Sequence, residues 1–145
     1  MQFKIHDQNG ELVTVPYPLS KYTVLFFYPK DNTPGCTVEV TEFDRLLGEF
    51  EGLNAKVFGI SGLRVKSKKK FEEKTGCRFQ LLADENFKIA KHFGFYRKKS
   101  FMGKSHWGIV RSTVILDSQG NLIKKFENVK TKGHALEVLS FLKSL

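Results

Sequence analysis

The run Thr23-Val24-Leu25-Phe26-Phe27-Tyr28 is apolar at almost every position and shows no alternation. A strand with one wet face alternates, so a strand that does not is covered on both faces. The run is followed by Pro29-Lys30-Asp31-Asn32-Thr33-Pro34-Gly35-Cys36-Thr37, too broken by Pro and Gly to continue as a strand. Val38, Phe43, Leu46, Leu47 and Phe50 then recur at helical spacing, which predicts a helix from about Cys36 to Phe50. A buried strand, a tight turn and a thiol in the first helical turn form an arrangement for activating sulfur. The helix start offers unpaired N–H groups and the positive end of a dipole, and both favour thiolate over thiol. Cys36 is therefore the leading candidate for a redox or nucleophilic cysteine.

The rest of the chain supplies partners for that strand. Phe3 and Ile5, a turn at Asp7–Gly10 and Leu12–Val15 predict an N-terminal hairpin, with Pro16 and Pro18 in the loop after it. Val57–Ile60 and Phe79–Leu82 read as further strands. Between them a basic helix is expected from Val65 to Thr75, stopped by Gly76. Asp84 is placed to cap a short helix reaching Phe93, and residues 97–107 are expected to form a long loop. Ile109–Leu116 and Leu122–Phe126 predict a second hairpin across Asp117–Gly120. A last helix over Lys132–Lys143 would bury Ala135, Val138, Leu139 and Leu142. Strands and helices in this order suggest an α/β mixed central sheet flanked by helices on both faces, which fits a thioredoxin-like fold. With 145 residues and no visible linker or repeat, residues 1–145 are expected to make one domain.

Composition narrows the function. The chain carries a net charge of +9, but its basic residues (Lys66, Lys68, Lys69 and Lys70; Arg97, Lys98 and Lys99; Lys124 and Lys125) are dispersed and read as a solvated surface. No nucleic-acid-binding motif accompanies them, so no specific nucleic acid is expected. No apolar run approaches the roughly 18 residues that span a bilayer. The N-terminus lacks the apolar core of a signal peptide. Two well-separated cysteines do not make a disulfide framework, and a cytoplasmic location is expected. His6, His92, His106 and His134 show no metal-ligand spacing, so neither a metal nor another cofactor is expected.

At Pro29-x-x-x-Thr33-x-x-Cys36 the sequence resembles the peroxiredoxins, and the wider segment Phe27–Glu39 looks like their bacterioferritin comigratory protein (PrxQ) subfamily. Gly59-Ile60-Ser61, Lys99–Lys104 and Gly108-Ile109-x-Arg111-Ser112-Thr113 match the same pattern. The resemblance covers nearly the whole chain and implies the same thioredoxin-like fold. It also implies a thiol peroxidase that reduces hydrogen peroxide and organic hydroperoxides through a Cys36 sulfenic acid. Regeneration by thioredoxin or a similar thiol, a part in antioxidant defence and redox homeostasis, and a monomer or weak dimer follow from it too. Two departures stand out. The chain starts short of most members, and Thr41 occupies the position where many place a resolving cysteine.

Each site residue has two readings. Thr33 either caps the helix, with Pro34 at its first position, or positions a peroxide through its hydroxyl; the resemblance implies the second. Pro29, which lacks an N–H, either ends the strand or shields Cys36 from water, and shielding is what the resemblance implies. Arg111 lies on a strand that is otherwise apolar. Composition alone points it at solvent, whereas the resemblance turns it toward the Cys36 thiolate. Glu39 either orients Arg111 or complements the helix dipole. Cys77, the only other thiol, is either a bystander or the partner that resolves the sulfenic acid. Phe101 and Trp107 either line the peroxide entrance or pack. Two other functions compete with this one. A thiol–disulfide oxidoreductase needs a Cys-x-x-Cys pair, and Thr33 stands where its first cysteine would be. A nucleic-acid-binding module would have to rest on the basic surface alone.

Overall fold

The Tyr22–Phe27 strand sits at the centre of the molecule because both of its faces are apolar. A computed structural model describes residues 2–145, the side chain of Phe101 excepted. A hairpin of β1 (Phe3–His6) and β2 (Leu12–Val15) precedes β3 (Tyr22–Phe27). Then come α1 (Pro34–Arg45), α2 (Leu47–Gly52), β4 (Ala55–Ser61), α3 (Val65–Thr75) and β5 (Gln80–Ala83). The chain continues through α4 (Lys88–Phe93), β6 (Tyr96–Phe101), β7 (Lys104–Ile109), β8 (Ser112–Asp117), β9 (Leu122–Phe126) and α5 (His134–Lys143). The main sheet has the order β5-β4-β3-β8-β9. β3 pairs with β4 in parallel and with β8 antiparallel, so the expected mixed sheet is present.

Side-chain parity on β3 explains the absence of alternation. Val24 and Phe26 point into a cluster with Tyr28, Val40 and Phe43 of α1, Phe71 of α3 and the apolar face of α5. Leu25 and Phe27 point the other way, into a cluster with Ile89 and Phe93 of α4 and with the β1–β2 hairpin. Phe26 stacks on Phe43 with ring centroids 4.4 Å apart, which fixes α1 over the strand that leads to it. Gly76 ends α3 at φ 66°, the left-handed conformation that glycine adopts without a Cβ penalty.

Four expectations need correction. The helix after Cys36 is two helices: the chain leaves helical geometry at Leu46 and resumes at Leu47, although the apolar spacing continues through the break. Residues 97–107 are not a loop. They belong to the antiparallel β6–β7 hairpin, which turns at Met102 and Gly103 with positive φ at both. Arg111 is not within a strand, because β7 ends at Ile109 and β8 begins at Ser112. The short fourth helix starts later than its cap suggests, yet the Asp84 carboxylate still accepts from the amides of Ile89 and Ala90.

The Phe26–Phe43 stack is the contact that joins strand to helix. Phe43→Ala is expected to lower stability by about 3–5 kcal/mol, read as a shift of the urea unfolding midpoint with little change in slope.

Candidate active site

Thr33 is the N-cap of α1 by backbone geometry (φ −92°, ψ 154°), and Pro34 follows with its φ already suited to a helix. The Thr33 side chain does not cap. Its hydroxyl donates to the carbonyl of Lys30 at 3.0 Å, while its own carbonyl accepts from the Thr37 amide at 2.9 Å and the Thr37 hydroxyl at 2.8 Å. Cys36 therefore falls in the first turn of α1, fully buried. The buried stripe of the helix is Cys36, Glu39, Val40 and Phe43. Val38, expected on that face, is exposed.

Arg111 reaches this stripe from the β7–β8 junction. Its Nη1 donates to Glu39 Oε1 at 2.7 Å and its Nη2 donates to Cys36 Sγ at 3.3 Å. The junction is held by the Val129 amide, which donates to the Arg111 carbonyl at 2.9 Å. Gly35 makes room for the approach: a Cβ there would stand 3.4 Å from Arg111 Nη2 and 3.3 Å from Thr131 Cγ2. One guanidinium thus holds a carboxylate and a sulfur with separate arms, as its planar fork permits and an ammonium would not.

Electrostatics follow from burial. Glu39 is fully buried, and loss of water pushes its carboxyl up to about 7 against the pull of Arg111. Its second oxygen, Oε2, is the one buried side-chain polar atom without a partner among the described residues. Burial pulls Arg111 down, but Glu39 and the Cys36 sulfur outweigh it and leave the guanidinium above its ordinary value. Arg111 keeps its proton at every pH of interest.

Pro29 and Arg111 line one groove together with Arg97, Lys99, Val110 and Val129. Arg97 is paired with Glu127 on the rim, and Lys99 Nζ donates to the Ile109 carbonyl at 2.8 Å. Pro29, Thr33, Cys36, Glu39 and Arg111 are therefore gathered at one end of the sheet. Cys77 lies in the same core cluster as Cys36 but makes no bond to that fork. It is buried at the end of α3, its sulfur faces the Phe79 carbonyl at 3.8 Å, and burial pushes its thiol up to about 11. Trp107 is exposed and stacks on Tyr96 instead of lining the groove, and the Phe101 side chain lies outside the described residues.

One group escaped the sequence. The sequence places Lys68 with the solvated basic surface, yet it is fully buried and its Nζ lies 2.9 Å from Asp31 Oδ2. The available signal was its spacing: Lys68 stands one turn before Phe71, on the single inward face of a helix that otherwise presents charge.

The Glu39 carboxyl has a testable consequence. An acid that holds its proton more tightly when folded stabilises at low pH, and that contribution is lost as pH rises from 4.5 to about 7. The stability difference between Glu39→Gln and the parent protein should therefore grow in favour of the variant across this window, as measured by urea unfolding at several pH values. A difference that does not change with pH would contradict the assignment.

The chain is similar to known proteins over nearly its whole length. The family model described as AhpC/TSA family matches residues 1–125. A putative peroxiredoxin bcp of Helicobacter pylori strain J99 is 45% identical over 97% of this chain and 92% of its own length. Peroxiredoxin Bcp of Bacillus subtilis is 39% identical over 98% of this chain and 90% of its own. Among solved structures, the bacterioferritin comigratory protein of Xanthomonas campestris superposes with a TM-score of 0.91 at 36% identity, covering 98% of this chain and 90% of that one. A chain with this fold, this match and these relatives belongs to the AhpC/TSA family, among the peroxiredoxins of the Bcp/PrxQ group, and is a peroxidase.

Proposed function

We propose that Cys36 is the peroxidatic nucleophile and that it reduces hydrogen peroxide and organic hydroperoxides through a sulfenic acid. The observation that carries this reading is the Arg111 fork, with Nη2 3.3 Å from the Cys36 sulfur and Nη1 bound to Glu39. The thiolate attacks one peroxide oxygen in line, the O–O bond breaks, and the other oxygen leaves with the electron pair as hydroxide or alkoxide. Negative charge moves away from sulfur, and Arg111 is the fixed cation along that path. Thr33 gives its hydrogen to the Lys30 carbonyl, so its oxygen lone pairs are free to accept from the peroxide O–H. Pro29 adds wall without adding a donor. Glu39 holds Arg111 in place and does not touch the substrate.

The sulfenic acid is then reduced by a thiol. An incoming thiolate displaces hydroxide from the Cys36 sulfur to form a mixed disulfide, and a second thiol releases Cys36. In this reading the thiol comes from outside the chain, from thioredoxin or a similar dithiol. The buried, tightly protonated Cys77 supports an external source: to resolve Cys36 it would have to leave its packing and lose its proton. The protein so described serves antioxidant defence and redox homeostasis as a single thioredoxin-like domain, monomeric or weakly dimeric.

Intact mass after one equivalent of peroxide, without reductant, tests both steps. A gain of one oxygen, absent in Cys36→Ser, is expected. Loss of two hydrogens would mean an internal Cys36–Cys77 disulfide and would overturn the external-thiol reading. Undiminished peroxide consumption by Cys36→Ser would overturn the whole assignment.

A further inference from the structure

The loop from Pro29 to Pro34 delivers Cys36 to its helix and carries two of the candidate site residues, yet one of its side chains turns fully inward. That side chain is Asp31; Lys30, Asn32 and Pro34 are exposed, while Pro29 and Thr33 are half-buried. Three side chains bond the Asp31 carboxylate, the buried Tyr28 and Lys68 and the half-buried Ser67. Oδ1 accepts from the Tyr28 hydroxyl at 2.6 Å. Oδ2 accepts from Ser67 Oγ at 2.7 Å and from Lys68 Nζ at 2.9 Å. Lys68 Nζ also donates to Ser61 Oγ and lies 5.3 Å from the centroid of the Tyr28 ring. The carboxylate therefore ties the loop to the end of β3 and to α3, and Lys68 carries the tie on to Ser61 at the end of β4.

We propose that Asp31 and Lys68 form a buried clamp that fixes the Pro29–Pro34 loop against α3, so that Lys68 is a positioning residue for the reaction at Cys36. The inference rests on the peroxidatic reading of Cys36 given above. Its physical basis is the short path from clamp to site. Asn32 follows Asp31 with a left-handed φ of 68°, so the chain reverses immediately after the anchor, and Thr33 comes next. A displacement of Asp31 is passed to Thr33 with little chain to absorb it. Burial pulls the Lys68 ammonium below its ordinary value, while Asp31, Cys36 and Asp84 pull it back. The cation stays because a carboxylate is there to meet it. Tyr28 packs in the same core cluster as Cys36, which couples the clamp to the floor of the site as well as to the loop.

Two rates measured on each variant separate positioning from general damage. Oxidation of Cys36 by hydrogen peroxide needs the loop in register, whereas alkylation of Cys36 by iodoacetamide uses neither Thr33 nor Pro29. Lys68→Met is expected to slow peroxide oxidation on the order of ten- to a hundredfold, as small misplacements do. Its alkylation rate should change far less. The double variant Lys68→Met/Asp31→Asn should recover most of the lost rate. The amide that replaces the carboxylate can still accept from the Tyr28 hydroxyl through its oxygen and donate to Ser67 Oγ through its nitrogen, and no buried charge is left alone. Tyr28→Phe removes one bond to Asp31 with little loss of volume and keeps the test open if Lys68→Met does not fold; it too should slow peroxide oxidation more than alkylation. Peroxide rates at the parent level in folded Lys68→Met or Tyr28→Phe would overturn the clamp. So would equal losses of the two rates in either variant. A parent protein whose Cys36 fails to react with peroxide would instead count against the peroxidatic reading itself.

Discussion

A guanidinium shared between a buried carboxylate and a sulfur is the interaction on which the site depends. An isolated carboxylate among Val40, Phe43 and the sheet would be too costly to keep ionised. Arg111 makes it tolerable, and Glu39 in turn fixes the plane of the guanidinium so that the second arm points at Cys36. Neither acid nor base could hold this position alone. The pair also explains the local chain: Gly35 leaves space for the arm, and the Val129 amide pins the junction from which Arg111 extends.

The same solution appears a second time. Lys68 and Asp31 form another buried pair, on the α3 side of the reactive loop, and here, unlike at Glu39, both carboxylate oxygens have donors. Removing one member of such a pair typically costs about 3–5 kcal/mol, because the survivor is left charged and unpaired. The loop that presents Thr33 and Cys36 is thus anchored by Asp31, and α1 is held from the β7–β8 junction by Arg111. The surface cations differ in kind. Those at Lys69, Arg78 and Arg97 pair at the surface with the half-buried Glu72 and Asp44 and the exposed Glu127, in contacts that salt and water weaken.

What could be read from the residues follows from burial. β3 was legible because a strand covered on both faces has no polar positions to confuse it, and α3 was legible because Gly76 marks its end. The β6–β7 hairpin was not. Arg97, Lys98, Lys99, Ser100, Lys104, Ser105 and His106 give most of it no apolar face, and only its base, Tyr96 and Ile109, packs on the core. The split between α1 and α2 was hidden because Leu46 and Leu47 keep the helical spacing through the break. In the site, Cys36 was evident from its place after a broken turn. Glu39 could have been placed by its position in the stripe from Cys36 to Phe43, and Arg111 needed the family resemblance. Lys68 was missed because a lysine between lysines looks solvated, and a partner far away in sequence decided otherwise.

The most direct test of the Arg111 fork is the second-order rate constant for oxidation of Cys36 by hydrogen peroxide, compared between the parent protein and Arg111→Met. A cation fixed at the sulfur predicts a loss of roughly 10²–10³, with no recovery in Arg111→Lys, which cannot hold Glu39 and Cys36 together. A folded Arg111→Met variant that reacts as fast as the parent would contradict the account.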